Sequence, residues 1–391
     1  MSWREVQLGD GIHVKHGFAF KGEYFAGSGE YMVLTPGNFL EKGGFRVRDG
    51  KERFYHADFP DEYLLNEGDL IVAMTEQGEG LLGSAARIPS EGKYLHNQRL
   101  GLVQITDPEL LDKRFVFWVF NSADVRAQIR ASATGAKVKH TAPERIKKVR
   151  LKVPELRDQQ AIAWVLDSYD DLIATNQRRI ALLEDAARRL YREWFVHLRF
   201  PGHESVPLKD GVPEGWVQSP LGDISQLNYG KALKSTERKE GNVPVYGSSG
   251  IVGTHNLALV GSGAIVVGRK GNVGSLYFAH VPCFPIDTVY YIAPVQASYR
   301  LFLALHHLNF ISSDAAVPGL NRTYAHSLPV LLPRDDVAEA FERLVQPVFE
   351  QAQQLTVQNE KLARARDLLL PKLMSGQLDV SGIPLPEVVA A

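Results

Sequence analysis

The stretch of this chain best suited to chemistry on a polyanion is Gly268-Arg269-Lys270-Gly271-Asn272-Val273-Gly274. A dinucleotide fold would need a helix after such a glycine run, so that the helix N-terminus meets phosphate. Ser275-Leu276-Tyr277-Phe278 follows instead and reads as a strand. The run is therefore expected to be a β-turn presenting Arg269, Lys270 and Asn272 outward, side chains suited to phosphates and base edges. A purely structural hairpin is the rival reading. A second cationic run lies between Arg130 and Lys152, where Lys137, Lys139, Arg145, Lys147, Lys148 and Arg150 are opposed only by Glu144. Binding of phosphate follows the local field, so clustering matters more than the mean. A solvated basic edge would explain that run as well.

Residues arranged for catalysis are not found. Gly230-Lys231 is followed by Ala232, not the Ser or Thr of a Walker A loop. The Asn/Asp-Pro-Pro-aromatic signature of amino-methyltransferases and the His-Glu-x-x-His of zinc proteases are both missing. His306-His307 is an adjacent pair, which cannot face one ligand from a helix. Asp170-Asp171 is placed at a helix start, complementing the macrodipole, and Glu184-Asp185 reads as a solvated face. No metal site and no cofactor site is assigned to this chain.

Composition sets wider bounds. The 391 residues suit two ordinary domains plus connecting structure. With 44 Lys and Arg against 45 Asp and Glu, the average charge says nothing of a partner. The single Cys283 excludes a disulfide framework and a cysteine-rich zinc site, and fits a reducing cytoplasm. Residues Met1 to Glu5 start no signal peptide, and no apolar run approaches the roughly 20 residues that span a bilayer. A soluble, cytoplasmic protein without a membrane partner is expected.

The elements that must position these residues come in two copies. Trp3 is followed five residues later by Leu8-Gly9-Asp10, and Trp216 five residues later by Leu221-Gly222-Asp223. Seven residues after each Asp comes a patch, Gly17-Phe18-Ala19-Phe20-Lys21 or Gly230-Lys231-Ala232-Leu233-Lys234, at one constant offset. In copy one, Tyr31 to Leu34 and Asp69 to Met74 read as strands, Phe115 to Arg130 as a helix, and Val149 to Val153 as a strand with a positive face ended by Pro154. In copy two, Val243 to Gly250 reads as a strand meeting a turn, Ala264 to Val267 and Ser275 to Ala279 as strands, Tyr299 to Leu308 as a helix, and Pro329 to Pro333 closes the copy. Val317-Pro318-Gly319-Leu320-Asn321-Arg322 falls where Thr134-Gly135-Ala136-Lys137 fell before.

A long helix is expected after each globular part. Ile173, Asn176, Ile180, Leu183, Ala187, Leu190 and Trp194 follow alternating spacings of four and three, the seam of a coiled coil. Val348, Ala352, Leu355, Asn359, Leu362, Arg366, Leu369 and Leu373 repeat the pattern. Pro347 is expected to begin the second helix, and a short helix before each seam (Gln160 to Leu166, Val337 to Gln346) to join it at a bend. A heptad helix of about 28 residues is roughly 42 Å long. Each exposes an apolar stripe that the other can cover, and antiparallel pairing would make a stiff spacer. Asn176, Asn359 and Arg366 within the seam either fix register or mark an outward face.

These residues together resemble the specificity subunit of type I restriction–modification systems. The resemblance rests on Leu221-Gly222-Asp223-Ile224, Pro244 to Gly250, Gly268 to Gly274 and Ile286-Asp287-Thr288. It also rests on Pro154 through Ala163, Asp170-Asp171-Leu172-Ile173, and Glu193-Trp194-Phe195 with Phe200-Pro201-Gly202. It covers the chain apart from the tail from Ser381. It implies an α+β protein: two pseudo-twofold-related α/β target-recognition domains separated by two long helices that form an antiparallel coiled coil. The boundaries expected are 1–154 for the first recognition domain, 155–200 for the first helical spacer and 201–215 for a linker. The second copy gives 216–333, 334–380 and a tail at 381–391.

The resemblance further implies a non-catalytic reader of double-stranded DNA with an asymmetric, two-part site. Its partners would be two modification (methyltransferase) subunits, which hold S-adenosylmethionine, and in some complexes ATP-driven restriction subunits. By position, Lys137, Lys139, His140, Asn321 and Arg322 follow a shared glycine and join Arg269, Lys270 and Asn272 as candidate DNA contacts. Copy one carries Thr75-Glu76-Gln77-Gly78 where copy two has its basic loop, so Thr75 and Gln77 are its candidates. The seam residues expected to pair the helices are Ile173, Ile180, Leu183, Leu190, Leu355, Leu362, Leu369 and Leu373. Two rivals are a self-sufficient DNA methyltransferase or endonuclease, and an assembly scaffold that touches no DNA.

Overall fold

The structure, a computed structural model, describes residues 3–48, 50–76, 80–136, 138–312 and 319–385. It consists of two units, Met1–Ile173 with Glu360–Ala391, and Ala174–Asn359. Both long helices contribute a segment to each unit.

In the first unit the central sheet runs in the order Ile12–His16, Leu100–Ile105, Leu70–Ala73, Ala85–Arg87, every pair antiparallel. Leu70–Ala73 is buried at every residue because both its faces are covered. Alternate side chains serve different cores: Leu70 and Val72 pack with the Lys113–Asn121 helix, Ile71 and Ala73 with Met32, Phe39 and Leu65. A five-stranded sheet containing one parallel pair, Tyr31–Val33 beside Tyr94–Leu95, covers that far side. A ribbon of Trp3–Gln7 and Arg150–Pro154 closes the copy.

The second unit repeats this plan. Its central sheet runs Asn228–Tyr229, Val289–Ile292, Ala264–Gly268, Leu276–Ala279, again antiparallel throughout. Ile265 and Val267 face one core, Ala264 and Val266 another. A parallel pair, Val243–Gly247 beside Phe284–Pro285, and a closing ribbon of Val217–Pro220 with Pro329–Leu332 complete the match.

The repeated residues are those the shared frame requires. Leu8 and Leu221 are fully buried, and their N–H groups donate to the Val149 and Leu328 carbonyls at 2.9 Å each. A Cβ on Gly9 would lie 2.8 Å from that of Lys147, and one on Gly222 would lie 2.9 Å from that of His326. Each glycine thus lets a short helix, Pro143–Lys147 or Arg322–Ser327, sit directly on the chain. Gly17 and Gly230 pass so close to the Asn97 and Ile286 carbonyls that no other residue fits without moving backbone.

The helices depart from the sequence expectation in three places. Phe115 to Arg130 is two helices, Lys113–Asn121 and Ala123–Ala131, because Ser122 is extended between them at φ −75°, ψ 147°. The Ser122 hydroxyl donates to the Val119 carbonyl at 2.7 Å, and the Asn121 carboxamide accepts from the Ala85 N–H at 3.0 Å. Those buried bonds satisfy the break. The expected bends are not there either: Leu156–Tyr191 and Asp335–Met374 are each one continuous helix. Pro347 therefore lies inside the second helix instead of starting it. Pro347 and Arg343 are both exposed, so the turn in which proline removes a hydrogen bond lies on the solvent side of the helix. Asp170, finally, is mid-helix and cannot cap an N-terminus.

Within the second unit, Asn176, Ala187, Trp194, Ala352 and Leu355 are buried, while Ile180, Leu183, Leu190, Val348 and Asn359 are half-buried. The buried Asn176 Nδ2 donates to Asn359 Oδ1 at 2.9 Å and Gln358 Oε1 at 3.3 Å. Further along, Tyr191 and Trp194 meet Phe341, so these segments run antiparallel. Within the first unit, Leu373 is buried and Ile173, Leu362, Arg366 and Leu369 are half-buried. Arg366 is ion-paired with Asp170 and Asp367, and Leu373 shares a core with Ala163 and Leu166; here too the direction is antiparallel. Among the described residues, no helix is long and apolar enough to cross a membrane.

Candidate nucleic-acid interface

Strand register puts the two copies on a common frame. His16 faces Gly101 as Tyr229 faces Tyr290. The Thr141 N–H donates to the Met74 carbonyl at 2.9 Å, as the Leu320 N–H donates to the Arg269 carbonyl at 2.8 Å. Thr75 bridges His140 as Lys270 bridges Gly319. Hence Met74 matches Arg269, Thr75 matches Lys270, and Ala142 and Pro143 match Asn321 and Arg322. Gly135 does not match Gly319, which corrects the shared glycine expected from sequence. Gaps of different length made the two look equivalent.

In the second unit the glycine run is a hairpin loop between the Ala264–Gly268 and Leu276–Ala279 strands, as its strand-like sequel requires. The Arg269 and Lys270 N–H groups donate to the Thr288 carbonyl at 2.9 and 3.0 Å. Ser275 Oγ donates to the Ser248 carbonyl at 2.6 Å, and Asn272 Nδ2 to Ser249 Oγ at 3.3 Å. These bonds fasten the loop to the Val243–Gly247 strand end, the other segment in which the sequence signal is dense. Arg269 donates from Nη1 to the Asp287 carbonyl at 3.1 Å, and its Cζ lies 5.0 Å from the Tyr229 ring centroid. Arg322 Cζ lies 4.9 Å from the same centroid. Asn321 caps the Arg322–Ser327 helix, its Oδ1 accepting from the Tyr324 N–H at 3.1 Å.

Five sequence candidates, Arg269, Lys270, Asn272, Asn321 and Arg322, thus converge on one loop cluster. Among the described residues, none of the three cations is paired with a carboxylate. The tyrosines that hold the two arginines were not singled out from sequence. Their signal was a difference between copies: Tyr229 precedes the matched Gly230, where copy one has His16 before Gly17.

The first unit is arranged otherwise. Thr75 is buried, and its Oγ1 lies 3.1 Å from His140 Nδ1, so it orients that exposed ring and is not itself a surface reader. The Glu76 N–H donates to the Lys139 carbonyl at 2.9 Å, pinning the strand that carries Lys139 and His140. Gln77 and Lys137 lie outside the described residues. In the basic run, Arg130 pairs with Glu76 at 2.9 Å and Lys147 with Glu144 at 2.6 Å. Arg145 donates to the Ser132 carbonyl at 3.0 Å and to Thr134 Oγ1 at 3.1 Å. Lys148, Arg150 and Lys152 are exposed and make no ion pair with a described acid. Arg130, Arg145 and Lys147 of the basic run are therefore held by the protein's own groups.

The histidine pair is also accounted for locally. His306 Nδ1 lies 2.9 Å from the Phe302 carbonyl oxygen, and the His307 ring stacks on Tyr191 at 5.1 Å. No group of three metal-ligating side chains occurs among the described residues.

Comparison with known proteins agrees with this twofold plan. The sequence model of the family described as "Type I restriction modification DNA specificity domain" matches residues 1–185 and 213–336, one stretch in each copy. The chain belongs to that family. Among curated members it is similar to the MjaIX type I restriction enzyme specificity subunit of Methanocaldococcus jannaschii, 24% identical over 54% of this chain and 56% of that one. It is also similar to the HindI specificity subunit of Haemophilus influenzae, 25% identical over 43% of this chain and 42% of that one. The aligned stretches span about half the length of those relatives. The solved type I S subunit from M. genitalium shares its fold, at a TM-score of 0.59 and 18% identity over 95% of this chain and 96% of that chain.

Proposed function

We propose that this chain is the DNA-reading subunit of a type I restriction–modification complex and supplies no catalytic group of its own. It would recognise an asymmetric, two-part duplex site, one part through each copy. The observation that carries this is the common frame built twice with different side chains at matched positions. Arg269, Lys270 and Arg322 stand where copy one has Met74, Thr75 and Pro143. Two unlike heads on like scaffolds suit two unlike half-sites.

The same proposal assigns the chemistry to partners. Two methyltransferase subunits would hold S-adenosylmethionine, and the repeated helical segments offer each an equivalent seat. Restriction subunits would join in complexes that cleave. Co-expression with the methyltransferase partner, followed by a genome-wide methylation map, tests the idea. A gapped, asymmetric motif is expected, and an ungapped palindrome would sink it. The rival of a self-sufficient methyltransferase predicts methyl transfer by the purified chain alone with S-adenosylmethionine, where this proposal predicts none. DNA binding by the complex should weaken steeply with added salt.

A further inference from the structure

The two copies serve as each other's control. Where they match (the buried leucines, the glycines under short helices), the residue supports the frame. Where they differ at an exposed, matched position, it is free to carry specificity. Three differing positions, Tyr229, Arg269 and Arg322, meet in the second unit over a fourth, the buried Tyr290. The first unit has His16, Gly101, Met74 and Pro143 there, so the whole assembly belongs to one copy. Tyr229 is 48% exposed, far more than support of a core would require. Tyr290 is buried beneath and donates its hydroxyl to the Leu320 carbonyl at 3.0 Å, tying the sheet to the segment that leads into Arg322.

We propose that Tyr229 is a positioning residue that holds Arg269 and Arg322 ready to read guanine in the half-site taken by the second unit. The inference rests on the DNA-reading function proposed above. Two guanidinium groups drawn to one ring repel each other, and the negative face of the ring offsets that repulsion. Holding the long side chains in place removes rotamer freedom before DNA arrives, which lowers the entropy cost of binding. A stacked guanidinium keeps its in-plane N–H fork available. Arg322 makes no side-chain hydrogen bond or ion pair among the described residues, while Arg269 commits Nη1 to the Asp287 carbonyl and also interacts with the Tyr290 hydroxyl. The N7 and O6 acceptors of guanine fit such a fork bidentately. Lys270 beside them is a point charge better suited to phosphate.

The test uses the complex of this chain with its methyltransferase partner and a panel of duplexes altered one base pair at a time in both half-sites. Y229F keeps the ring and should match the parent. Y229L and R322K should each relax the guanine preference in one half-site by about tenfold or more, with the other half-site unchanged. R322K keeps its charge, so the salt dependence of binding should not move. Should Y229L fail to fold in thermal unfolding, Y229H replaces it, because the first copy accepts His16 at the matched position. Uniform loss of rate over the whole panel, as a phosphate contact would give, overturns the inference, and so does an unchanged base profile. A parent complex that methylates no two-part site defeats the proposed function instead, which keeps the two failures apart.

Discussion

Single residues in this protein divide by what surrounds them more than by type. Gly230 and Gly17 are fixed by a neighbouring carbonyl, so G230A should cost about 1–3 kcal/mol as an overpacking change. Thermal unfolding would show it as a lowered Tm, and an unchanged Tm would mean the backbone yields freely. His96 is a second case. It is fully buried, Nε2 donates to the Leu100 carbonyl at 2.9 Å, and burial lowers its pKa to about 4. The folded state therefore holds the ring neutral while the unfolded chain takes a proton below about pH 6.5. Stability from this group is present above that value and is lost as pH falls toward about 4, on the order of 3 kcal/mol in all. Urea unfolding at stepped pH measures the loss, and H96Q should flatten it.

At the scale of elements, the long helices carry polar groups in their seams, and each has a definite partner. The amide pair of Asn176 and Asn359 and the ion pair of Asp170 and Arg366 both demand one antiparallel register, since sliding either helix would strand a buried polar group. Burial pushes the Asp170 carboxyl up, and Arg366 opposes the shift. R366M should destabilise the protein because it leaves that carboxylate without its cation, while R366M with D170L should recover part of the loss. The sign of the pH effect follows. With Arg366 gone the folded pKa of Asp170 rises further, so R366M should regain stability relative to the parent as pH falls through it. Unfolding curves for the two variants at neutral and acid pH decide the matter, and equal losses in single and double variants would count against the pair.

For the whole molecule, duplication explains how one frame is built twice with unlike loops in one chain. Leu8, Gly9 and Gly17 and their counterparts Leu221, Gly222 and Gly230 hold the frame, and the loops are left to vary. Under the proposed function, replacing residues 1–154 with the matching stretch of another family member should change only one half of the methylated motif. A methylation map reads this directly, and changes in both halves would contradict independent heads.

The sequence by itself determined the duplication, the presence of two long helices and the glycine hairpin. Each of these is a local pattern whose spacing survives whatever packs around it. It could not decide that Leu156–Tyr191 and Asp335–Met374 run unbroken, because a proline's cost in a helix depends on whether the turn it disrupts lies on the solvent side. Nor could it show that Thr75 is buried under His140, that Arg130 and Lys147 of the basic run pair with Glu76 and Glu144, or that Tyr229 gathers two arginines from distant segments. Those facts depend on which residues far apart in the chain come within a few ångströms, and burial, pairing and ring contact exist only once the chain has closed on itself.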